Sequence, residues 1–144
     1  MANQQTLRGM ATLNIYAADV KAARKWYTEF LGIDAYFQRP DTENPTYVEF
    51  RLGDYQHELG IIDSKWAPNG PGDGKPGGAI MHWHVDDIHE AWDNLLARGA
   101  TPYDPITVRG EGFVTASVVD PFGNVLGIMY NQHYLDILAS KNQQ

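Results

Sequence analysis

The chain has no cysteine, so disulfides, thiolate metal sites and a cysteine nucleophile are all excluded. No apolar run approaches the roughly 20 residues that a membrane-spanning helix requires. The opening residues, MANQQTLRG, lack the apolar core of a secretory signal. A cytoplasmic protein that does not engage a membrane is therefore expected. Positive charge is also scarce: 11 Lys and Arg stand against 18 Asp and Glu, a net charge of −7. Without a basic stripe to displace counterions from phosphates, nucleic acid is not an expected partner, and an anionic membrane surface is disfavoured too. Neither a strand–glycine loop–helix phosphate cradle nor a Gly-x-Ser-x-Gly elbow occurs. Nucleophilic catalysis has no better candidate than an isolated Ser or Thr.

What is present suits one globular domain. A chain of 144 residues, 43% hydrophobic and 20% charged, can bury a substantial core. Its pattern switches between period 2 and a period near 3.6. ATLNIYA alternates as a strand, with Leu13, Ile15 and Ala17 on one face and Thr12, Asn14 and Tyr16 on the other. Asp19 reads as a helix N-cap, because its carboxylate can take an unpaired first-turn amide. Val20, Ala23, Tyr27, Phe30 and Leu31 then follow at helical spacing, and Gly32 ends the helix. DAYFQRP, TYVEFRL and QHELGIID read as three strands. APNGPGDGKPGG can hold neither helix nor strand and reads as a mobile linker or flap.

After that stretch the order returns. AIMHWHV is a strand, Asp87 caps a helix carrying Ile88, Ala91, Trp92, Leu95 and Leu96, and Gly99 ends it. TPYDPITV, FVTASVV and NVLGIMY complete the set, with DPFGN as a tight turn. Asp19 and Asp87 lie 68 residues apart; Gly32 and Gly99, like Leu59 and Leu126, lie 67 apart. A near-constant offset with the same element order marks an internal duplication of a βαβββ unit. The expected organisation is a single domain, 1–144. Module 1 spans about 8–66, a linker 67–78 and module 2 about 79–131, with a C-terminal helix over 132–140. In that helix Tyr134, Ile137 and Leu138 form an apolar stripe available to a partner subunit.

The tandem βαβββ repeat, with VDD…EAWDNLLARGA and DPFGNVLGI, resembles the vicinal oxygen chelate superfamily over roughly residues 8–131. That group contains glyoxalase I, bleomycin-resistance proteins, fosfomycin-resistance enzymes and extradiol dioxygenases. The resemblance implies an α+β fold: a curved, open mixed sheet forming a cup, with helices outside and the ligand inside. It also implies a homodimer. Strand alternation then turns Asn14, Tyr16, Tyr47, Glu49, Arg51, Glu58, His82 and His84 toward the cup. Metal-dependent members carry His, Gln or Glu seven residues before the capping Asp of each module, and Glu in each fourth strand. Here those positions are Thr12, Ile80, Gly60 and Gly127. None supplies the nitrogen or carboxylate oxygen that a divalent ion needs. No metal and no other cofactor is expected, the alternative being a relocated ion on His82 and His84 with Glu58 or Glu49 as oxygen donors.

Two functional readings follow. The first is a metal-independent binding protein of the bleomycin-resistance type, holding a small aromatic or cationic molecule. Asn14, Tyr16, Tyr47, Glu49, Arg51 and Trp66 would be its contacts, with Trp66 closing over the ligand or packing in a dimer. The second is an enzyme (a lyase, isomerase or dioxygenase) in which His82, His84 and Glu58 transfer protons. Against both stands the plain alternative that alternating charges on an antiparallel strand mark a wet face.

Overall fold

A computed structural model describes residues 5–142. The chain divides into two compact units between Pro71 and Gly72, within the glycine-rich stretch. In the first, β1 (Thr12–Ala17) leads into α1 (Val20–Leu31), followed by β2 (Phe37–Arg39), β3 (Tyr47–Leu52) and β4 (His57–Asp63). The strands form one mixed sheet in the order β1-β4-β3-β2, with β1 parallel to β4 and the other pairs antiparallel. Asp19 caps α1 by accepting from the Ala22 amide at 3.0 Å, and Gly32 closes it in the left-handed conformation, φ 73°. The period-2 and period-3.6 patterns meet in the core. Val48, Phe50 and Ile61 from the sheet and Ala23 and Tyr27 from α1 are all buried.

The second unit repeats this order. β5 (Met81–His84), α2 (Ile88–Ala97), β6 (Thr101–Gly110), β7 (Phe113–Val119) and β8 (Val125–Asn131) give a sheet ordered β5-β8-β7-β6. Asp87 caps α2 through the Glu90 amide at 3.0 Å. Leu95, Ala116, Val118 and Ile128 fill the core between helix and sheet. Asp120 is buried in the DPFGN turn, where it accepts from the Phe122 and Asn124 amides, each at 2.9 Å. The edge strand β6 runs through Pro102 and Pro105 and slips register against β7 at three places. Val108 on that edge is 74% exposed. A final helix, α3 (Gln132–Asn142), follows β8 directly.

Both units are thus α+β, each with an open four-stranded mixed sheet. Two strands are shorter than their apolar patterns predict. DAYFQRP pairs only over Phe37–Arg39, and AIMHWHV only over Met81–His84, leaving Ile80 outside the strand and 37% exposed. Just outside each strand one further backbone bond reaches the partner, from the Tyr36 amide to the Glu49 carbonyl at 3.0 Å and from the Val85 amide to the Met129 carbonyl at 2.8 Å. No helix among the described residues is long and apolar enough to cross a membrane.

Candidate functional site

In the first unit the strand face turned away from α1 carries the polar residues. Since Val48 and Phe50 point into the core, Tyr47, Glu49 and Arg51 point the other way. Register lines up Asn14, Gly60, Glu49 and Phe37 across four strands, and Thr12, Glu58 and Arg51 across three. Tyr16 shares a row with Ile62 and Tyr47.

Glu49 is the centre of this face. Its two carboxylate oxygens accept from the hydroxyls of Tyr36 and Tyr47. Arg51 lies 3.6 Å from Glu58 and places its guanidinium carbon 5.0 Å from the Tyr36 ring centroid. Burial pushes the Glu49 carboxyl up. Hydrogen bonds from Tyr36 and Tyr47, one with Glu58 and the Arg51 charge outweigh burial, and hold it below the usual range. The hydrogen bond to Glu49, aided by burial, pushes the Tyr36 phenol up to about 12. Burial first, and then the Glu49 bond, pushes Tyr47 up as well. At neutral pH Glu49 is an ionised acceptor and both phenols are fixed donors, so none of the three is poised to shuttle a proton. Tyr36 was not among the residues singled out from sequence. It precedes β2, and only its amide bond to the Glu49 carbonyl, 3.0 Å, brings it to this face.

In the second unit, His82 and His84 stand on the face opposite Trp83, as the alternation requires. Their surroundings differ. His82 is exposed, and its ring lies over Gly127, its register partner. The His84 side chain is only 8% exposed. Its Nδ1 accepts from the Asn131 amide at 3.2 Å, which places the proton of the neutral ring on Nε2, 3.2 Å from Asp86 Oδ1. Tyr134 of α3 stacks on it with centroids 4.7 Å apart and planes 9° from parallel. His84 is therefore an anchor for the start of α3, not an open imidazole. Trp66 ends a 3-10 turn, Ser64–Trp66, and is 63% exposed, with the Lys65 ammonium 5.3 Å from its ring.

The residues at the four positions of the implied metal site do not fit an ion. Thr12, Ile80, Gly60 and Gly127 offer no imidazole or carboxylate. The space above both glycines is also taken. A Cβ on Gly60 would collide with Asn14 Oδ1, and one on Gly127 would lie 2.8 Å from His82 Cδ2. No group of three or more His, Asp or Glu side chains among the described residues is placed to hold a metal.

Comparison with known proteins agrees with this architecture. Among solved structures, a glyoxalase-related enzyme from Fulvimarina pelagi superposes with a TM-score of 0.67 at 20% identity, covering 88% of this chain and 90% of that one. An antibiotic-binding protein from Streptomyces sp. CB03234 gives 0.64 at 21% identity, covering 87% and 97%. A lactoylglutathione lyase from Agrobacterium tumefaciens gives 0.65 at 18% identity, covering 88% and 96%. Identities this low establish a shared fold and no shared activity. No curated protein matches the chain. The family model of the Glyoxalase/Bleomycin resistance protein/Dioxygenase superfamily matches residues 9–128, and the chain belongs to that superfamily.

Proposed function

We propose that this protein binds a small aromatic or cationic organic molecule, without the metal used by other members of its superfamily. The observation that carries this reading is Glu49, an ionised carboxylate held between two tyrosine hydroxyls on the exposed face of the first sheet. A fixed negative charge flanked by aromatic rings suits an amine or another organic cation. Tyr36, Tyr47 and Arg51 supply the walls, and Asn14, Tyr16 and Glu58 the neighbouring polar groups. An antibiotic-binding protein shares the fold, which is consistent with binding as a function of this scaffold. A homodimer in the cytoplasm completes the reading, and light scattering on the purified protein tests the dimer.

Calorimetric titration with 2-phenylethylamine, 2-phenylethanol and phenylacetate tests the ligand class. The amine should bind best, and Glu49→Gln should weaken it by about tenfold, the loss of one charge-assisted contact. Equal binding of all three, or none, discards the proposal. So does native mass spectrometry that finds a stoichiometric metal ion whose removal abolishes function.

A second reading, an enzyme of the same superfamily, is favoured by the exposed imidazole of His82. Proton transfer by His82, with His84 and Glu58 as its partners, predicts that replacing both histidines by Ala abolishes turnover while the fold survives. The anchoring of His84 under Tyr134 weighs against an equal share for that residue.

A further inference from the structure

Residues 67–78 join the two compact units, whose boundary falls between Pro71 and Gly72. They hold neither helix nor strand, and most of them are exposed. Gly70, Gly72, Gly74 and Gly78 all have positive φ, between 76° and 84°. Within this segment Asn69 is followed by Gly70, and no other asparagine of the chain precedes a glycine.

An asparagine amide is an electrophile that the backbone nitrogen of the next residue can attack, closing a five-membered ring. The attack needs a free side chain, an uncrowded nitrogen and a segment able to leave its resting conformation. Asn69 is exposed, and its side chain makes no hydrogen bond among the described residues. Gly70 has no Cβ to crowd the approach, and nothing lies within 4 Å of where one would stand. The Gly70 amide donates to the Ala67 carbonyl at 2.9 Å, which closes a single turn. No ladder or helix stands behind that bond, so it can open without disturbing a packed element. The other asparagines fail one condition or another. Asn44 precedes Pro45, which has no amide N–H. Asn94 accepts from Arg98 within α2, Asn124 is bonded to Asp120, and Asn131 accepts from the His133 amide.

We propose that Asn69 is a self-modification site, converting to aspartate and isoaspartate through a succinimide formed with Gly70. The Gly70 nitrogen gives up its proton and bonds to Asn69 Cγ, and the side-chain nitrogen takes up a proton and leaves as ammonia. Water then opens the ring. Breaking the bond from nitrogen to Cγ gives aspartate, and breaking the bond from nitrogen to the backbone carbonyl carbon gives isoaspartate. Water is the only co-reactant, and nothing is oxidised or reduced. Either product adds one negative charge to the chain's −7. Isoaspartate also routes the main chain through Cβ and Cγ, which lengthens the junction between the units by one backbone atom. The new carboxylate arises just beyond the Ser64–Trp66 turn.

The test is to age the full chain in neutral buffer made with heavy-oxygen water, at physiological temperature, and to map its peptides by mass spectrometry. The Asn69 peptide should lose its amide nitrogen and gain one solvent oxygen. A protease that cuts before aspartate and not before isoaspartate should leave part of that peptide uncut. Conversion at Asn94, Asn124 and Asn131 should be at least about tenfold slower, the rate equivalent of the hydrogen bond that each must first break. Gly70→Ala should slow the reaction by about tenfold or more, because its methyl group crowds the attacking nitrogen. Asn69→Gln, which would have to close a six-membered ring, should be slowed at least as much. The proposal is overturned if Asn69 stays intact while other asparagines convert, or if aspartate is the sole product. It is equally overturned if Gly70→Ala or Asn69→Gln converts as fast as the parent.

Discussion

Replacing Glu49 by Gln removes one charge and leaves the shape of the first unit's polar face almost unchanged. In the parent, Tyr36 and Tyr47 both donate to an ionised carboxylate. That bond is the main reason the Tyr36 phenol is pushed up to about 12. In the variant the phenol should return toward its ordinary value of 10.0. Tyr47 should fall less, because burial is its larger cause and burial persists. Hydrogen bonds to charged groups contribute roughly 1.5–3 kcal/mol when desolvated. Tyr36 is 48% exposed, so about 1 kcal/mol is the expected loss of stability after solvent screening.

The sign of the pH dependence follows from the two shifts. Glu49 has a lowered pKa, so its contribution is complete above the ordinary value of 4.5 and is lost as the pH falls through the lowered one. Tyr36 has a raised pKa, so its contribution is complete below 10.0 and is lost as the pH rises through about 12. Tyrosinate absorbance measured against pH in the parent, Glu49→Gln and Tyr36→Phe isolates the Tyr36 transition. If Tyr36 already titrates near 10 in the parent, or does not move in Glu49→Gln, the clamp does not exist in solution.

Three further outcomes test other parts of the account. Asp120→Ala should cost about 1–3 kcal/mol in chemical denaturation, because it strands the half-buried Phe122 and Asn124 amides that the buried carboxylate satisfies; a loss under about 0.5 kcal/mol would contradict that role. Gly60→Ala should cost about 1–2 kcal/mol by driving its Cβ against Asn14 Oδ1, and adding Asn14→Ala should recover most of it. Simple additivity in that cycle would show that the two residues do not compete for space. Tyr134→Ala should speed amide exchange in α3 without disturbing the sheet, because an 11-residue helix is marginal without tertiary packing. Unaltered protection of α3 would mean that the His84 stack does not anchor it.

Much of the fold was legible in the sequence because its signals are local. Asp19 and Gly32, or Asp87 and Gly99, mark helix ends within a few residues of themselves, and strand alternation assigns faces without knowledge of partners. The repeat then supplied the element order twice. What alternation does not reveal is register. It turned Glu49 and Tyr47 to one face but gave no sign that Tyr36, just before an edge strand only three residues long, would complete the clamp. His84 shows the same limit. Its face was assigned correctly, but the amide that holds it lies 47 residues away, and the ring that covers it belongs to the final helix. Gly60 and Gly127 read from the sequence as lost carboxylates, whereas in three dimensions they make room for Asn14 and His82.

The irregular strand β6 bears on how the protein behaves when crowded. A long edge strand with apolar side chains such as Val108 and Tyr103 in solvent would ordinarily recruit a strand from another molecule. Pro102 and Pro105 carry no amide donor, and the repeated slips of β6 against β7 break the regular spacing that a continuous template needs. The backbone of β6 itself thus works against sheet-to-sheet pairing, independently of which side chains it exposes.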